Sequence, residues 1–232
     1  MESVKFNGLV YGGSGAVGRM VTKYCCESEQ WGKIFVVTRR TIPLFEEIKK
    51  SANGDKLELI MTQDIMDEDK VAEAISGTTI HAVFNLLGCR LGKGKVLFTQ
   101  IDKTFVVQSC KFAHKINAVL FSHVTTVNAS KDSMFLYLRV KGECEEELKK
   151  IKMKNLSIHR PSLITDRDND TRCVEKLFGC FPCVSKIKSN HLAKAIVINA
   201  TKKLDKITSG GQEEEALWDM YKHDEILAMV NS

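Results

Sequence analysis

A glycine-rich segment near the N-terminus has the spacing of a phosphate-binding turn. It reads GGSGAVG over residues 12–18 and joins an apolar run to a stretch with helical periodicity. Gly12 allows a tight turn, Gly15 lets backbone N–H groups approach a pyrophosphate, and Gly18 lets the helix pack on the strand. The helix N-terminus favours the negative charge. A tight turn without a ligand is the alternative, but a position in the first strand–helix–strand unit favours a dinucleotide.

Two arginines follow the second apolar run, where a site specific for NAD would place a carboxylate. Asp or Glu at that position accepts a hydrogen bond from the ribose 2′-hydroxyl, and the sequence offers Arg39 and Arg40 instead. Guanidinium groups suit a 2′-phosphate, so the pair favours NADP(H) over NAD(H). A solvated strand end is the alternative interpretation.

A tyrosine and a lysine four residues apart could transfer a proton. Tyr137 and Lys141 lie in a segment with helical periodicity, so both side chains fall on one face. A phenol, whose ordinary pKa is about 10, needs a fixed ammonium nearby to act as an acid or base near neutral pH. Isolated pairs of this kind are usually surface residues; the position after a glycine turn gives this one its significance.

Alternating strands and helices position these residues. Apolar, β-rich runs occupy residues 5–11, 33–38, 57–62, 81–87, 117–122 and 156–160, and helical stretches occupy 16–26, 43–50, 67–75, 95–114 and 133–152. Such alternation predicts an α/β fold in which helices cover both faces of a doubly wound, Rossmann-like parallel sheet. Ligands bind such a sheet at the carboxyl ends of its strands.

The alternation stops after Pro161. Residues 173–178, 191–203 and 214–230 have helical character, and they predict a small C-terminal helical cap over the ligand crevice. We expect a single NAD(P)-binding domain over residues 1–232, in which 162–232 contribute this substrate region.

Composition excludes several classes of protein. With 44% hydrophobic and 27% charged residues in 232, the chain is an ordinary globular protein, and no apolar run could span a membrane. A net charge of +5 without an aromatic platform makes nucleic acid an unlikely partner. The eight cysteines suit reduced thiols, and the CxxC of Cys180 and Cys183 lacks the second pair of a zinc site, so we expect a cytoplasmic protein without a metal.

Further motifs resemble the short-chain dehydrogenase/reductase superfamily in their order along the chain. They are Asp64 after the third strand, NLLG at 85–88, Tyr137 with Lys141, and RPS at 160–162, where many members have RPG. The stretches FLYLRVKGE at 135–143, the basic glycine segment at 90–95 and EKLFG at 175–179 resemble an atypical branch of this superfamily, the Tat-interacting-protein-like oxidoreductases.

The resemblance implies NADPH as the ligand and a role for each matching residue. The pyrophosphate would be held by Gly12, Ser14, Gly15, Ala16 and Val17, the 2′-phosphate by Arg39 and Arg40, and the adenine edge by Asp64 and Ile65. The ribose would be lined by Leu86, Leu87 and Gly88, the reacting end by Tyr137 and Lys141, and the carboxamide by Pro161, Ser162 and Leu163.

The sequence departs from the family at the serine that polarises the substrate carbonyl. After the fifth strand, where a Ser-Ser pair is common, Ser122 takes the first place and His123 the second. Thr125 could serve instead, because the role demands only a hydroxyl donor. His123 could donate a hydrogen bond, but a structural role is the more common one for a histidine at a strand end.

Two functions follow from these patterns. The first is an oxidoreductase in which NADPH reduces a carbonyl of a small molecule, Tyr137 gives the proton, Lys141 orients the ribose, and Ser122 or Thr125 binds the carbonyl oxygen. The second is a regulatory interaction module that senses the nucleotide and is read by a protein partner. Substrate, partner and oligomeric state are open.

Overall fold

A seven-stranded parallel sheet forms the centre of the molecule. A computed structural model describes residues 5–166, 185–210 and 217–231. The strands of this sheet are β1 (Phe6–Tyr11), β2 (Trp31–Thr38), β3 (Leu57–Met61), β4 (Ala82–Asn85), β5 (Leu120–Val124), β6 (Asn155–Arg160) and β9 (Leu217–Lys222). They lie in the order β3-β2-β1-β4-β5-β6-β9. The order reverses between β1 and β4, where doubly wound sheets bind their ligands.

Helices cover both faces of this sheet. They are α1 (Ala16–Glu27), α2 (Pro43–Lys50), α3 (Glu68–Ala74), α4 (Lys95–Thr99), α5 (Phe105–Lys115), α6 (Leu136–Lys150), α7 (Ser189–Thr208) and α8 (His223–Asn231). Helices α1, α2, α7 and α8 share one apolar layer with the sheet, and α3, α5 and α6 share the other. None of the described helices combines the length and the apolar composition of a membrane span.

The Rossmann-like α/β class expected from the sequence is confirmed, and all six expected strands are present. The expected helix over 95–114 is also present, but a π-helical segment, Gln100–Thr104, lies between α4 and α5. A short second sheet joins β7 (Leu163–Thr165) to β8 (Lys186–Lys188). The expected helix over 173–178 and the CxxC motif lie outside the described residues.

The expectation of one helix over 214–230 is wrong. Leu217–Lys222 is a strand that pairs in parallel with β6, and the helix α8 begins only at His223. Without this strand, the edge of β6 would present unpaired backbone groups, and pairing there outweighs the local preference for a helix. Helix α7 packs against α1, so this part of the C-terminal segment extends the sheet and one of its helical layers.

A close backbone approach determines where α6 lies. Gly142, on the buried side of α6, lies against the loop at Ser130 and Lys131. A Cβ at this position would lie 2.2 Å from the carbonyl carbon of Ser130 and 2.3 Å from the backbone nitrogen of Lys131. Backbone atoms cannot rotate away as a flexible side chain can, so only glycine permits this spacing.

We therefore expect Gly142→Ala to lower the free energy of unfolding by about 3 kcal/mol, since overpacking against backbone forces a shift of the helix or the loop. Urea denaturation followed by circular dichroism measures this change. Gly92→Ala is the matched control: Gly92 is exposed, has no atom within 4 Å of the added Cβ, and is expected to change stability by less than about 0.5 kcal/mol. Equal effects of the two substitutions would contradict this account of α6.

Candidate active site

The glycine turn lies against the end of β4. Gly12 has φ of 80°, and a Cβ there would lie 2.7 Å from the carbonyl carbon and oxygen of Leu86. A Cβ on Gly18 would lie 2.1 Å from the carbonyl oxygen of Gly12. These two glycines are thus required by the conformation of the turn and by its contact with the first helix.

The remaining part of the turn is open. At Gly15, which is exposed, a Cβ would meet only the Gly12 carbonyl oxygen at 3.3 Å. Gly15 caps α1 without a side-chain hydrogen bond, and the first turn of that helix carries no acidic residue. Ser14, Ala16 and Val17 are partly exposed beside it. The positive end of α1 therefore presents N–H groups that an anion can reach.

The ends of β2 and β3 hold the polar residues expected at the adenosine side. Arg39 and Arg40 follow β2 directly and both are exposed. Asp64 is exposed after β3 and accepts a hydrogen bond from the backbone N–H of Met66 at 2.9 Å. Ile65 is partly buried against the apolar layer of α3. Because β2 pairs in parallel with β1, and β3 in parallel with β2, the ends of these strands lie at the same edge as the glycine turn.

A hydrogen-bond network shapes the end of β4. The side chain of buried Asn85 donates to Ser109 Oγ at 2.6 Å and accepts from the backbone N–H of Leu87 at 3.2 Å. The backbone N–H of Leu86 donates to the carbonyl oxygen of Tyr11 at 2.9 Å. Leu86 and Leu87 are thereby held partly exposed, and Gly88 exposed, next to the glycine turn.

His123 is a buried, neutral member of this network. Its Nδ1 lies 2.9 Å from the Asn85 carbonyl oxygen, which can only accept, so Nδ1 carries the proton. Burial and then the charge of Lys141 lower the pKa of His123 to about 3. Its Nε2 has no partner among the described residues. With this pKa His123 stays uncharged near neutral pH and does not act there as a general acid.

Helix α6 brings Tyr137 and Lys141 to the same edge of the sheet. Tyr137 is partly exposed, and its ring stacks on that of Phe98 in α4, with 5.5 Å between the centroids. Lys141, one turn further along, is 4% exposed. Its Nζ lies 3.5 Å from the carbonyl oxygen of Val124, the last residue of β5. The structure thus brings the predicted pair together, with the lysine much the more deeply buried.

The counter-ion of Lys141 is Asp102, which lies in the π-helical segment and is fully buried. The Asp102 Oδ1 lies 2.8 Å from Lys141 Nζ. Burial lowers the pKa of Lys141, but the Asp102 carboxylate and Tyr137 outweigh it, so this pKa lies above its ordinary value. The ammonium is therefore charged across the physiological range.

The predicted hydroxyl donors have other surroundings. Ser122 is buried, and strand alternation places it on the face that β5 shares with α1 and α7, opposite to α6. Thr125 lies on the α6 side, but its hydroxyl donates to buried Glu145 at 2.6 Å. Glu145 is also paired with Arg160. Ser122 thus does not join Tyr137, and Thr125 is engaged in an internal network.

The predicted carboxamide residues follow β6 directly. Pro161 is buried, and its carbonyl oxygen accepts from the backbone N–H of Val127 at 3.0 Å. Ser162 and Leu163 are partly exposed, and the N–H of Ser162 donates to His223 Nδ1 at 3.2 Å. These contacts connect the segment after β6 to the loop after β5 and to the start of α8.

Sequence reasoning missed Asp102 and Thr126. Asp102 lies four residues from Phe98 and four from Val106, both of which are buried. A carboxylate on this apolar helix face was the feature of the sequence that could have predicted a buried, paired aspartate. Thr126 directly follows Thr125, is partly exposed, and its hydroxyl has no partner in the described part of the chain.

Within the described part of the chain there is also no group of three or more potential metal ligands.

Comparison with known proteins finds relatives in sequence, although no family model matches the chain. Protein HTATIP2 of Rattus norvegicus is 28% identical over 180 residues, which cover 75% of this chain and 71% of the relative. Protein FMP52, mitochondrial, of Lodderomyces elongisporus is 27% identical over 169 residues, covering 71% and 69%.

Solved structures share the fold. A UDP-glucose-4-epimerase from Stenotrophomonas maltophila, with bound NAD, matches with a TM-score of 0.69 at 15% identity, covering 94% of this chain and 77% of that one. A short-chain type dehydrogenase/reductase from Mycobacterium ulcerans matches with a TM-score of 0.64 at 16% identity, covering 97% and 91%.

The comparisons overturn the cytoplasmic expectation and support the resemblance. The FMP52 relatives from several fungi are named mitochondrial proteins, which contradicts the expectation of a cytoplasmic protein. A globular composition does not distinguish these compartments, because their soluble proteins meet the same solvent. In sequence the chain is similar to HTATIP2 and FMP52, and in fold it is similar to an epimerase and to a short-chain type dehydrogenase/reductase, which supports its resemblance to the atypical short-chain dehydrogenase/reductases.

Proposed function

We propose that this chain is an NADPH-dependent oxidoreductase that reduces a carbonyl group of a small molecule. The observation that carries the proposal is the charged, buried Lys141 one helical turn from Tyr137, at the edge of the sheet where the glycine turn lies. Burying an ammonium is costly, and such groups concentrate at functional sites. A surface helix would have no need of one.

The residues at this edge fit a dinucleotide. A Cβ at Gly12 or Gly18 would clash with backbone atoms and prevent the tight turn, and the N–H groups of α1 face the open side of the turn at Gly15. Arg39 and Arg40 suit a 2′-phosphate, which favours NADPH over NADH. Bound there, the nicotinamide would supply the hydride. Leu86, Leu87 and Gly88 would line the ribose, and the segment from Pro161 to Leu163 would meet the carboxamide.

The protein's own residues would manage the proton and the polarity. The Tyr137 hydroxyl, partly exposed, donates the proton to the carbonyl oxygen, and the Lys141 ammonium stabilises the phenolate that remains. A hydroxyl donor for the carbonyl oxygen would come from the loop after β5. Thr126 suits this role better than Ser122 or Thr125, because its hydroxyl is uncommitted.

Segment 162–232 would provide the substrate side of the site within a single domain of residues 1–232. The strand pair β7–β8 begins three residues after β6 ends, so it lies next to the carboxyl edge of the sheet. The contacts that select the substrate would therefore come from this strand pair.

A nucleotide-sensing interaction module is the second candidate. It is favoured by the positions of Ser122 and Thr125, because neither presents a free hydroxyl beside Tyr137 and Lys141. Apolar side chains exposed beside Tyr137 and Phe98 point the same way: Met134 is 93% exposed, Phe135 69% and Val96 83%.

Replacement of the phenol distinguishes the two functions. We expect Tyr137→Phe to lower the rate of NADPH-dependent carbonyl reduction by about 10²- to 10⁴-fold, since the proton donor is lost, and to leave NADPH affinity nearly unchanged. Steady-state kinetics on a panel of aldehydes and ketones and calorimetric titration with NADPH measure the two effects.

Tyr24→Phe is the matched control, because Tyr24 lies in the last turn of α1, at the opposite edge of the sheet. It should retain both rate and affinity. A Tyr137→Phe protein that reduces carbonyls at the wild-type rate would refute the reductase mechanism. NADPH binding without reduction of any carbonyl by the wild type would favour the sensing module.

Replacement of the two arginines tests the nucleotide. We expect Arg39→Ala/Arg40→Ala to weaken NADPH binding by about 10- to 100-fold and to leave NADH binding unchanged. The reason is that the two guanidinium groups contact only the 2′-phosphate, which NADH lacks. Calorimetry with both nucleotides gives the comparison. Lys49→Ala/Lys50→Ala removes the same charge from the far end of α2 and serves as control. An equal loss for both nucleotides would contradict NADPH specificity.

A further inference from the structure

A buried aspartate in the π-helical segment has no role in the motifs identified from the sequence. Asp102 is fully buried, and the helix around it departs from α-geometry over Gln100–Thr104. A buried carboxylate is costly unless it is paired and hydrogen-bonded. Single π-helical turns inside α-helices occur frequently at functional sites.

The two oxygens of Asp102 contact two different parts of the site. Oδ1 forms the ion pair with Lys141 on α6, at 2.8 Å. Oδ2 accepts a hydrogen bond from the backbone N–H of Cys89, also at 2.8 Å. Cys89 directly follows the segment from Leu86 to Gly88 at the end of β4. One carboxylate thus joins the lysine to the loop beside the glycine turn.

None of the other titratable groups around Lys141 is a buried anion. Burial raises the pKa of the Cys144 thiol to about 12, and His123 is neutral. Tyr137, the remaining neighbour, is partly exposed. Among the described residues, only Asp102 therefore supplies a buried anion to this ammonium.

We propose that Asp102 is a positioning residue of this site, which holds the Lys141 ammonium charged and in register with the loop after β4. The proposal rests on the proposed function, because it assigns to Lys141 the role of binding the ribose and stabilising the phenolate. Asp102 itself need not touch nucleotide or substrate. If Asp102 only held the two elements together, the protonation state of Lys141 would not affect nucleotide binding.

The Asp102→Asn variant separates these roles, since an amide oxygen can still accept from Cys89 while the negative charge is lost. Burial then dominates and moves the pKa of Lys141 down towards neutrality. We expect NADPH affinity, relative to wild type at each pH, to fall by about tenfold or more between about pH 6 and pH 9. Asp102→Glu retains the charge, so the ratio of its NADPH affinity to that of wild type should not change with pH. A ratio for Asp102→Asn that does not change with pH would overturn the proposal.

Asp55→Asn is the matched control, because Asp55 is exposed before β3, at the opposite edge of the sheet. Wild-type protein provides a test that needs no variant to fold. With the lysine held charged, wild-type affinity should show no lysine titration below about pH 9, beyond the ionisation of the nucleotide itself, which a titration of free NADPH measures. A loss of affinity with a midpoint between about pH 7 and pH 9 would refute the proposal.

Stability gives a readout that is independent of the nucleotide. In wild type, the raised pKa of Lys141 stabilises the fold fully below the unfolded value of about 10.4, so this group adds no slope between about pH 6 and pH 9. In Asp102→Asn, a folded pKa below the unfolded one makes stability rise with pH. Urea midpoints that change in parallel for the two proteins would overturn the proposal. Wild type that binds no nucleotide would refute the proposed function, while this stability comparison would still decide the role of Asp102.

Discussion

The candidate site depends on keeping one charged group inside a region of low polarity. Lys141 is almost fully buried, and an ammonium in such surroundings would lose its proton without a counter-ion. Asp102 meets this requirement from a different helix, and it does so at a π-helical turn that shifts its backbone relative to α5. One turn beyond the lysine, buried Glu145 of α6 forms a second ion pair, with the partly exposed Arg160 of β6. The two pairs and the close contact at Gly142 together determine the position of the helix that bears Tyr137.

The sheet supplies the other half of the site. Its order places the ends of β1, β2 and β4 side by side, and the glycine turn can lie against Leu86 only because Gly12 has no Cβ. Solved structures at 15 to 16% identity share this fold, among them an epimerase and a reductase. The same scaffold thus serves different reactions, so the chemistry of this chain must be argued from its own side chains. Those side chains include Tyr137 and Lys141, proposed above as the acid–base pair, and fewer candidates on the substrate side.

The substrate side is where this chain departs most from the short-chain dehydrogenase/reductases that it resembles. Strand parity sends the side chain of Ser122 to the face opposite α6, and Thr125 is bound to Glu145. The loop that follows offers Thr126 as the hydroxyl without a partner. The lysine and its counter-ion are present while the serine position is altered. This combination fits a protein whose site is built more for binding the nucleotide than for polarising a substrate. The exposed apolar residues next to Tyr137 belong to this same side of the molecule.

The sequence by itself determined the features that depend on neighbouring residues. The spacing of Gly12, Gly15 and Gly18, the alternation of strands and helices, and the four-residue interval from Tyr137 to Lys141 are local properties, and each appears in the structure as expected. Only the tertiary structure decided the rest, because it arises from groups distant in the chain. The ion pair of Asp102 and Lys141 needs two helices to pack. Leu217–Lys222 is a strand because β6 offers an edge to pair with, and the direction of Ser122 depends on strand register, which one residue of slip would reverse.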